Sequence, residues 1–212
     1  MAETGAYLIL RSHAPDSRFR SFREAIAGHG TVKGAARLHE VEALEPGSVP
    51  AHTLVLGFAD RDAARRAYAE LPLDMLAAPA APLVLLTSAV PPEGLDDPAI
   101  PTRANVEPAA DDDPVLMLIE GSASDQDKMD IYRGIILPMM FERHAYYTAF
   151  ELGGDVKILS GSWDEAIFAI SRWPSRDAAR DFWLSERYQS EGILLRLDIG
   201  RFEVVLVPAC DG

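Results

Sequence analysis

The sequence predicts an α+β protein in which two ferredoxin-like βαββαβ repeats pack against each other within one chain. The pentapeptide Arg-Asp-Ala-Ala-Arg occurs at residues 61–65 and again at 176–180, each time after an apolar run of strand length. Apolar runs and amphipathic stretches follow one another in the same order around both copies. Several of these runs lack polar–apolar alternation, which predicts that both faces of each sheet are buried.

The first repeat is predicted over residues 1–90. Its strands are the apolar runs 6–12, 53–59 and 82–90, with a further strand or bent strand pair within 32–44. Helices are expected over 16–30, where Phe19, Phe22 and Ile26 have helical spacing, and over 62–71. Asp60 precedes the second of these helices and is a suitable N-cap.

The second repeat is predicted over residues 114–212 in the same order. Its strands are expected at 115–121, 147–152, 156–160, 166–173 and 202–207, and its helices at 125–140 and 176–184. Ser175 is the corresponding N-cap. The first strands align at an offset of 109 residues and the pentapeptides at 115, so the second copy carries a longer region around its second strand.

Helices can cover only one face of each sheet, so the other face must pack on the sister repeat. Two four-stranded sheets facing each other would form a barrel-like core with the helices outside. Arg11 and Glu120 occupy equivalent positions in the two first strands. If a pseudo-twofold relates the repeats, these opposite charges predict a salt bridge between them.

Residues 91–113 differ in composition from both repeats. Between Pro91 and Pro114 there are six prolines, and seven acidic residues stand against one basic residue, Arg103. This composition favours an extended, self-repelling linker without a core of its own.

Composition also limits the classes of partner. The formal net charge is −13, which disfavours binding to nucleic acid or to an anionic membrane surface. No signal peptide is visible, and the single cysteine, Cys210, fits a reducing cytoplasm. No spacing typical of a metal site, a phosphate loop or a dinucleotide fingerprint is present, so we expect no cofactor and no metal.

A family resemblance rests on three stretches of the second half: residues 154–163, residues 173–180 with Trp173 and Pro174, and residues 185–189 with Arg196 beyond them. In combination they resemble the family called domain of unknown function 1330, within the dimeric α/β-barrel superfamily. The first half is similar to a degenerate copy. The resemblance implies a ferredoxin-like unit that normally pairs as a homodimer, so a tandem chain would form an intramolecular dimeric α/β-barrel. It brings no established reaction.

The candidate site is a small-molecule cleft in the second repeat. Trp173 ends a strand where such folds open a cleft, and Tyr188 and Arg196 lie in a segment that the first repeat lacks. His144, beside two tyrosines, is the candidate general base. The expected ligand-binding residues are Tyr132, Tyr147, Trp163, Trp173, Tyr188 and Arg196.

Three functions stay open at this point. The first is a cytoplasmic protein that binds a small molecule. The second is a cofactor-independent oxygenase or isomerase acting on a small aromatic or polyketide-like acid, with His144 as base and Arg196 holding the anion. The third is an assembly module without a ligand. A further homodimer of the whole chain also stays open.

Overall fold

The computed structural model describes residues 4–37, 40–45, 49–77 and 81–210. In the first repeat the elements are β1 (Ala6–Ser12), α1 (Asp16–Ala25), β2 (Thr31–Arg37), β3 (Glu42–Ala43), β4 (His52–Phe58), α2 (Arg61–Glu70) and β5 (Leu83–Ser88). In the second they are β6 (Val115–Ala123), α3 (Gln126–Phe141), β7 (Tyr146–Leu152), β8 (Lys157–Ser160), β9 (Ile167–Trp173), α4 (Arg176–Leu184), α5 (Ile193–Ile199) and β10 (Gly200–Pro208). A 3₁₀ turn at Leu73–Leu76 follows α2, and a π turn at Tyr188–Gly192 precedes α5.

Both repeats have the antiparallel ferredoxin-like strand order. The first sheet runs β2-β4-β1-β5 and the second runs β10-β6-β9-β7, which is the same order read from the other edge. The predicted caps are confirmed: Asp60 accepts a hydrogen bond from the Ala63 amide at 2.6 Å, and Ser175 accepts one from the Ala178 amide at 3.0 Å. The predicted fold class is therefore confirmed.

Each sheet has five strands rather than the predicted four, because the repeats exchange short strands. β3 of the first repeat pairs with β10 at the edge of the second sheet, and β8 of the second repeat pairs with β5 at the edge of the first. Both exchanged strands come from the connection between the second and third main strands of their repeat.

The exchange is supported by equivalent ion pairs. Arg61 and Arg176 are the first arginines of the two pentapeptides, and each begins the second helix of its repeat. Arg61 pairs with Asp155 of the second repeat, and Arg176 pairs with Glu42 of the first at 3.0 Å. The repeated pentapeptide thus supplies contacts between the repeats as well as a helix start.

Three apolar clusters make up the core. Two lie between a sheet and its own helices, and the third fills the space between the two sheets. The third contains Tyr7, Ile9, Ala36, Val55, Leu85, Leu116, Leu118, Ala149, Phe168, Ile170, Val205 and Val207. Both faces of each sheet are buried as predicted, and the Arg11–Glu120 salt bridge across the sheets is confirmed.

The proline-rich segment differs from the extended linker that its composition predicted, because it packs on the second repeat. Ile100 and Val106 are buried, and the Tyr147 amide donates to the Pro101 carbonyl at 2.8 Å. Its carboxylates face arginines of the second repeat, including Asp97 with Arg133 and Asp111 with Arg172. These contacts offset the self-repulsion of its charges. The domain bounds 1–90, 91–113 and 114–212 stay a prediction.

Candidate functional site

The axial cleft is a cavity of about 670 Å³ that opens between the two repeats at one end of the barrel. Main strands of both sheets and the start of the proline-rich segment line it. The lining residues are Thr4, Tyr7, Lys33, Val90, Pro91, Pro92, Arg103, Leu116, Tyr146, Tyr147, Thr148, Arg172 and Cys210.

The cleft lies on the pseudo-twofold axis, because its walls include equivalent positions of both repeats. Tyr7 pairs with Gly57 in the first sheet as Leu116 pairs with Arg172 in the second. Lys33 and Thr148 likewise both sit at the register shift of the second main strand of their repeat. The same backbone therefore frames both sides of the cleft, while the side chains differ.

Two equivalent hydrogen bonds hold this end of the barrel together. The Cys210 amide donates to the Lys33 carbonyl at 2.8 Å, and the Val90 amide donates to the Thr148 carbonyl at 2.8 Å. In each repeat the carbonyl of the bulged residue thus accepts a hydrogen bond from the second residue after the last strand of the other repeat. The bulges bring the side chains of Lys33 and Thr148 to the mouth of the cleft.

Cations converge on the cleft although the chain as a whole is acidic. Lys33, Arg103 and Arg172 all line it, and no carboxylate does so among the residues described. Gly57 makes room for Lys33: a Cβ at Gly57 would lie 3.1 Å from both Cγ and Cε of that lysine. The equivalent of Gly57 in the second repeat is Arg172. The first repeat therefore supplies Lys33 from its second strand, and the second repeat supplies Arg172 from β9.

Three tyrosines (Tyr7, Tyr146 and Tyr147) and two threonines (Thr4 and Thr148) add to the polar lining. Burial raises the pKa of the Tyr7 phenol, against the opposing effects of its hydrogen bond with Thr148 and of the nearby Arg172 charge. Tyr7 therefore stays protonated at neutral pH and can donate a hydrogen bond. Tyr146 is half-buried on the opposite wall.

A side cavity of about 270 Å³ adjoins the axial cleft and shares Arg103, Tyr146 and Arg172 with it. Asp111 lines this side cavity and forms an ion pair with Arg172. His144 lies there too, with a backbone φ of 55° and its Nδ1 atom 2.9 Å from the Glu107 carbonyl oxygen. The shared residues make the two cavities one continuous polar surface.

The structure places the predicted site residues in several separate parts of the molecule. Tyr132, Trp173 and Tyr188 are buried between the second sheet and its helices, where the Tyr132 and Tyr188 hydroxyls lie 3.2 Å apart. Burial raises the pKa values of both phenols. Trp173 and Tyr188 both pack on Phe182, and none of these three tyrosine and tryptophan side chains lines a described cavity.

Arg196 lies on the far side of this aromatic cluster. It is 3% exposed, forms an ion pair with Glu45 of the first repeat and stacks 4.8 Å from the centroid of the Trp183 ring. Burial lowers the pKa of Arg196 to about 10, so it remains charged at neutral pH. The guanidinium that was expected to hold an anion is occupied by a carboxylate of the chain itself.

The remaining predicted residues lie elsewhere. Trp163 packs on Phe168 in the cluster between the sheets and donates from Nε1 to Glu120 at 2.8 Å. Tyr147 is 4% exposed and lines the axial cleft, and His144 lines the side cavity. Of the predicted set, these last two residues reach the candidate site.

Sequence reasoning missed Tyr7, Lys33, Arg103 and Arg172. One signal was available, because Arg172 interrupts an apolar strand of the second repeat and Lys33 precedes Gly34 in the second strand of the first repeat. Their convergence could not be found without the register that relates the repeats.

Comparison with known proteins gives a family match in the second repeat. Residues 114–210 match the family model described as "Domain of unknown function (DUF1330)". The match covers the second repeat and not the first. No curated protein gives a significant match to the chain.

Solved structures with the same fold cover the whole chain and not only the second repeat. A candidate monooxygenase from Fusobacterium nucleatum is similar with a TM-score of 0.54 and 9% identity, over 100% of this chain and 94% of that chain. A variant chlorite dismutase from Candidatus Nitrospira defluvii is similar with a TM-score of 0.53 and 10% identity, over 99% and 93%. The TM-scores show that these proteins share the dimeric α/β-barrel fold, and at such low identities they show the fold alone.

Within the described ranges, no helix combines the length and the apolar character needed to span a bilayer. Among the same residues, no three side chains of the His, Cys, Asp or Glu types cluster as metal ligands would.

Proposed function

We propose that this protein binds a small organic molecule in the axial cleft between its two repeats. The observation that carries the proposal is the cleft itself. Its volume of about 670 Å³ falls within the usual range of small-molecule sites, roughly 300–1,000 Å³, and polar side chains from several separate chain segments line it. The predicted binding function is kept, while the proposed site moves from the second repeat to the pseudo-twofold axis.

The oxygenase or isomerase alternative has less support. It requires His144 and Arg196 to face one substrate, whereas His144 lines the side cavity and Arg196 is buried against Glu45 and Trp183. Burial raises the pKa values of Tyr7 and Tyr147, which makes these two phenols poor bases at neutral pH. The assembly module is also less supported, because a barrel that served only for association would not need an open polar cleft.

The proposal includes a cytoplasmic location, since a single cysteine suits a reducing compartment. It includes neither nucleic acid nor membrane as a partner. The pairing that the fold requires is made within the chain by the two repeats.

The test is a thermal-shift screen of small organic acids, amides and alcohols against the intact protein and against Thr148→Trp. Thr148 lines the cleft and is only partly buried, so an indole at this position would occupy the cleft. Leu194→Trp is the matched control, because Leu194 is 61% exposed on α5 and lines no described cavity.

We expect compounds that stabilise the wild type and Leu194→Trp to lose their effect on Thr148→Trp, with affinity reduced about tenfold or more. Circular dichroism and the Tm of each variant without added compound establish that the variant is folded. Equal binding to all three proteins would place the ligand outside the cleft and overturn the proposal.

A further inference from the structure

We infer that the ligand of the axial cleft is a small organic dianion, and that Asp111 competes with it for Arg172. This inference rests on the proposed function and adds the chemical class of the ligand. It follows from the balance of charges around the axial cleft and the side cavity, and from the position of the one carboxylate among them.

The described residues that line the two cavities carry three permanent positive charges, on Lys33, Arg103 and Arg172. Asp111 is the single carboxylate among those lining residues, and it lies on the side-cavity surface of Arg172. Within the described ranges, neither Lys33 nor Arg103 has an ion-pair partner. Among the residues that the structure describes, the cations lining the two cavities thus outnumber the lining carboxylates by two, in a chain whose net charge is −13.

Such an excess favours a ligand of opposite charge, because like charges that line one cavity repel one another. A ligand with two negative charges would neutralise it. The hydroxyl groups of Tyr7, Tyr146 and Thr148 would donate hydrogen bonds to the bound anion. Pro91, Pro92 and Leu116 offer apolar surface for the carbon skeleton between the charges.

Arg172 links the axial cleft with Asp111 in the side cavity. Its guanidinium reaches both cavities and is paired with Asp111 in the side cavity. A guanidinium can hold one carboxylate in the planar bidentate arrangement at a time on a given edge. A ligand that takes the edge of Arg172 that Asp111 contacts competes with that carboxylate, so removing the Asp111 charge should strengthen binding.

The experiment measures the dissociation constants of isophthalate, benzoate and benzamide by isothermal titration calorimetry. These probes share a benzene ring and carry two, one and no negative charges. On the wild type we expect isophthalate to bind at least about tenfold more tightly than benzamide, with benzoate between them. Increasing ionic strength should weaken the binding of isophthalate and leave that of benzamide unchanged.

Asp111→Asn is the deciding variant. We expect it to bind isophthalate about fivefold more tightly than the wild type does and to leave benzamide unchanged, because the amide no longer holds Arg172 by charge. Asp113→Asn is the matched control: Asp113 also pairs with an arginine, Arg176, but lines neither cavity, and its positive φ of 56° suits asparagine. Lys33→Gln should weaken isophthalate about fivefold or more.

Several outcomes would overturn the inference. They are equal affinities for isophthalate and benzamide, an Asp111→Asn protein that binds isophthalate no more tightly than Asp113→Asn does, or no binding of any probe. If neutral compounds bind the wild type and Thr148→Trp abolishes that binding, the proposed cleft stands and only the ligand class is wrong. If isophthalate binds Thr148→Trp as tightly as the wild type, both proposals fail.

Discussion

Arg11 and Glu120 lie on the inner faces of β1 and β6, at the end of these strands opposite to the axial cleft. Their side chains are 11% and 6% exposed, and Glu120 also accepts a hydrogen bond from Trp163. In a symmetric homodimer this position would bring two identical residues together. The tandem chain can place opposite charges there, because its two copies are encoded separately and can diverge.

Arg11→Met should destabilise the protein by about 3 kcal/mol, since it leaves the Glu120 carboxylate buried without its partner. The double variant Arg11→Met/Glu120→Gln should recover to within about 1 kcal/mol of the wild type, because the glutamine is neutral and still accepts from Trp163. Urea unfolding of the wild type, both single variants and the double variant measures this. A single Arg11→Met variant as stable as the wild type would contradict it.

At the scale of elements, the exchanged strands β3 and β8 join the two sheets. Each lies near a carboxylate that pairs with the first arginine of the other repeat's pentapeptide, Glu42 with Arg176 and Asp155 with Arg61. Arg180 adds a second contact to Glu42 at 2.8 Å. These pairs lie on opposite sides of the molecule and tie each exchanged strand to a helix of the repeat that receives it.

The Glu42 pairing makes stability depend on pH. Hydrogen bonds from Arg180, together with Arg176 and against the effect of desolvation, hold the pKa of Glu42 below its usual value. Because the folded pKa is lowered, this contribution is present above the unfolded pKa of about 4.3 and is lost as the pH falls through the folded value. Glu42→Gln should therefore be less stable than the wild type at pH 7, by about 1 kcal/mol, and the difference should shrink in acid.

Chemical unfolding at a series of pH values tests this prediction. Glu186→Gln is the control, because Glu186 is exposed and has no ion pair within the described ranges. A gap between wild type and Glu42→Gln that stays constant from neutral to acidic pH would show that the carboxylate charge is not the cause.

At the scale of the whole molecule, the two repeats share the apolar cluster between their sheets. Cutting the chain between residues 113 and 114 would leave each half with an uncovered sheet face, including Phe168 and Ile170 in the second half. An exposed apolar sheet face favours association. The proline-rich segment contributes further contacts to the second repeat, so the cut would also leave those contacts to be formed between separate chains.

We therefore expect residues 114–212 alone to form a dimer through the uncovered face, and residues 1–113 and 114–212 to form a one-to-one complex when mixed. Light scattering after size-exclusion chromatography gives the masses, and the mixed complex should unfold at a higher denaturant concentration than either half. A stable, monomeric second half would show that the sheet face does not need the first repeat.

The sequence by itself determined the local elements and the repeat. Caps such as Ser175, the helical spacing of Phe19 and Phe22, and the recurrence of the pentapeptide all depend on residues close together in the chain, and each predicted the element that is found. The burial of both sheet faces could also be predicted, because a strand that lacks alternation must be covered on both sides. The salt bridge between Arg11 and Glu120 followed from the pseudo-twofold alone.

Only the tertiary structure decided where the candidate site lies. Lys33 and Thr148 both reach the cleft through bulges that the apolar pattern does not reveal, and the same pattern does not show that β3 and β8 each join the sheet of the other repeat. Arg196 was a reasonable anion-binding residue until Glu45 of the other repeat was found beside it. The physical reason is the same throughout: local structure depends on neighbours in sequence, whereas a cleft on an axis depends on how two distant repeats approach each other.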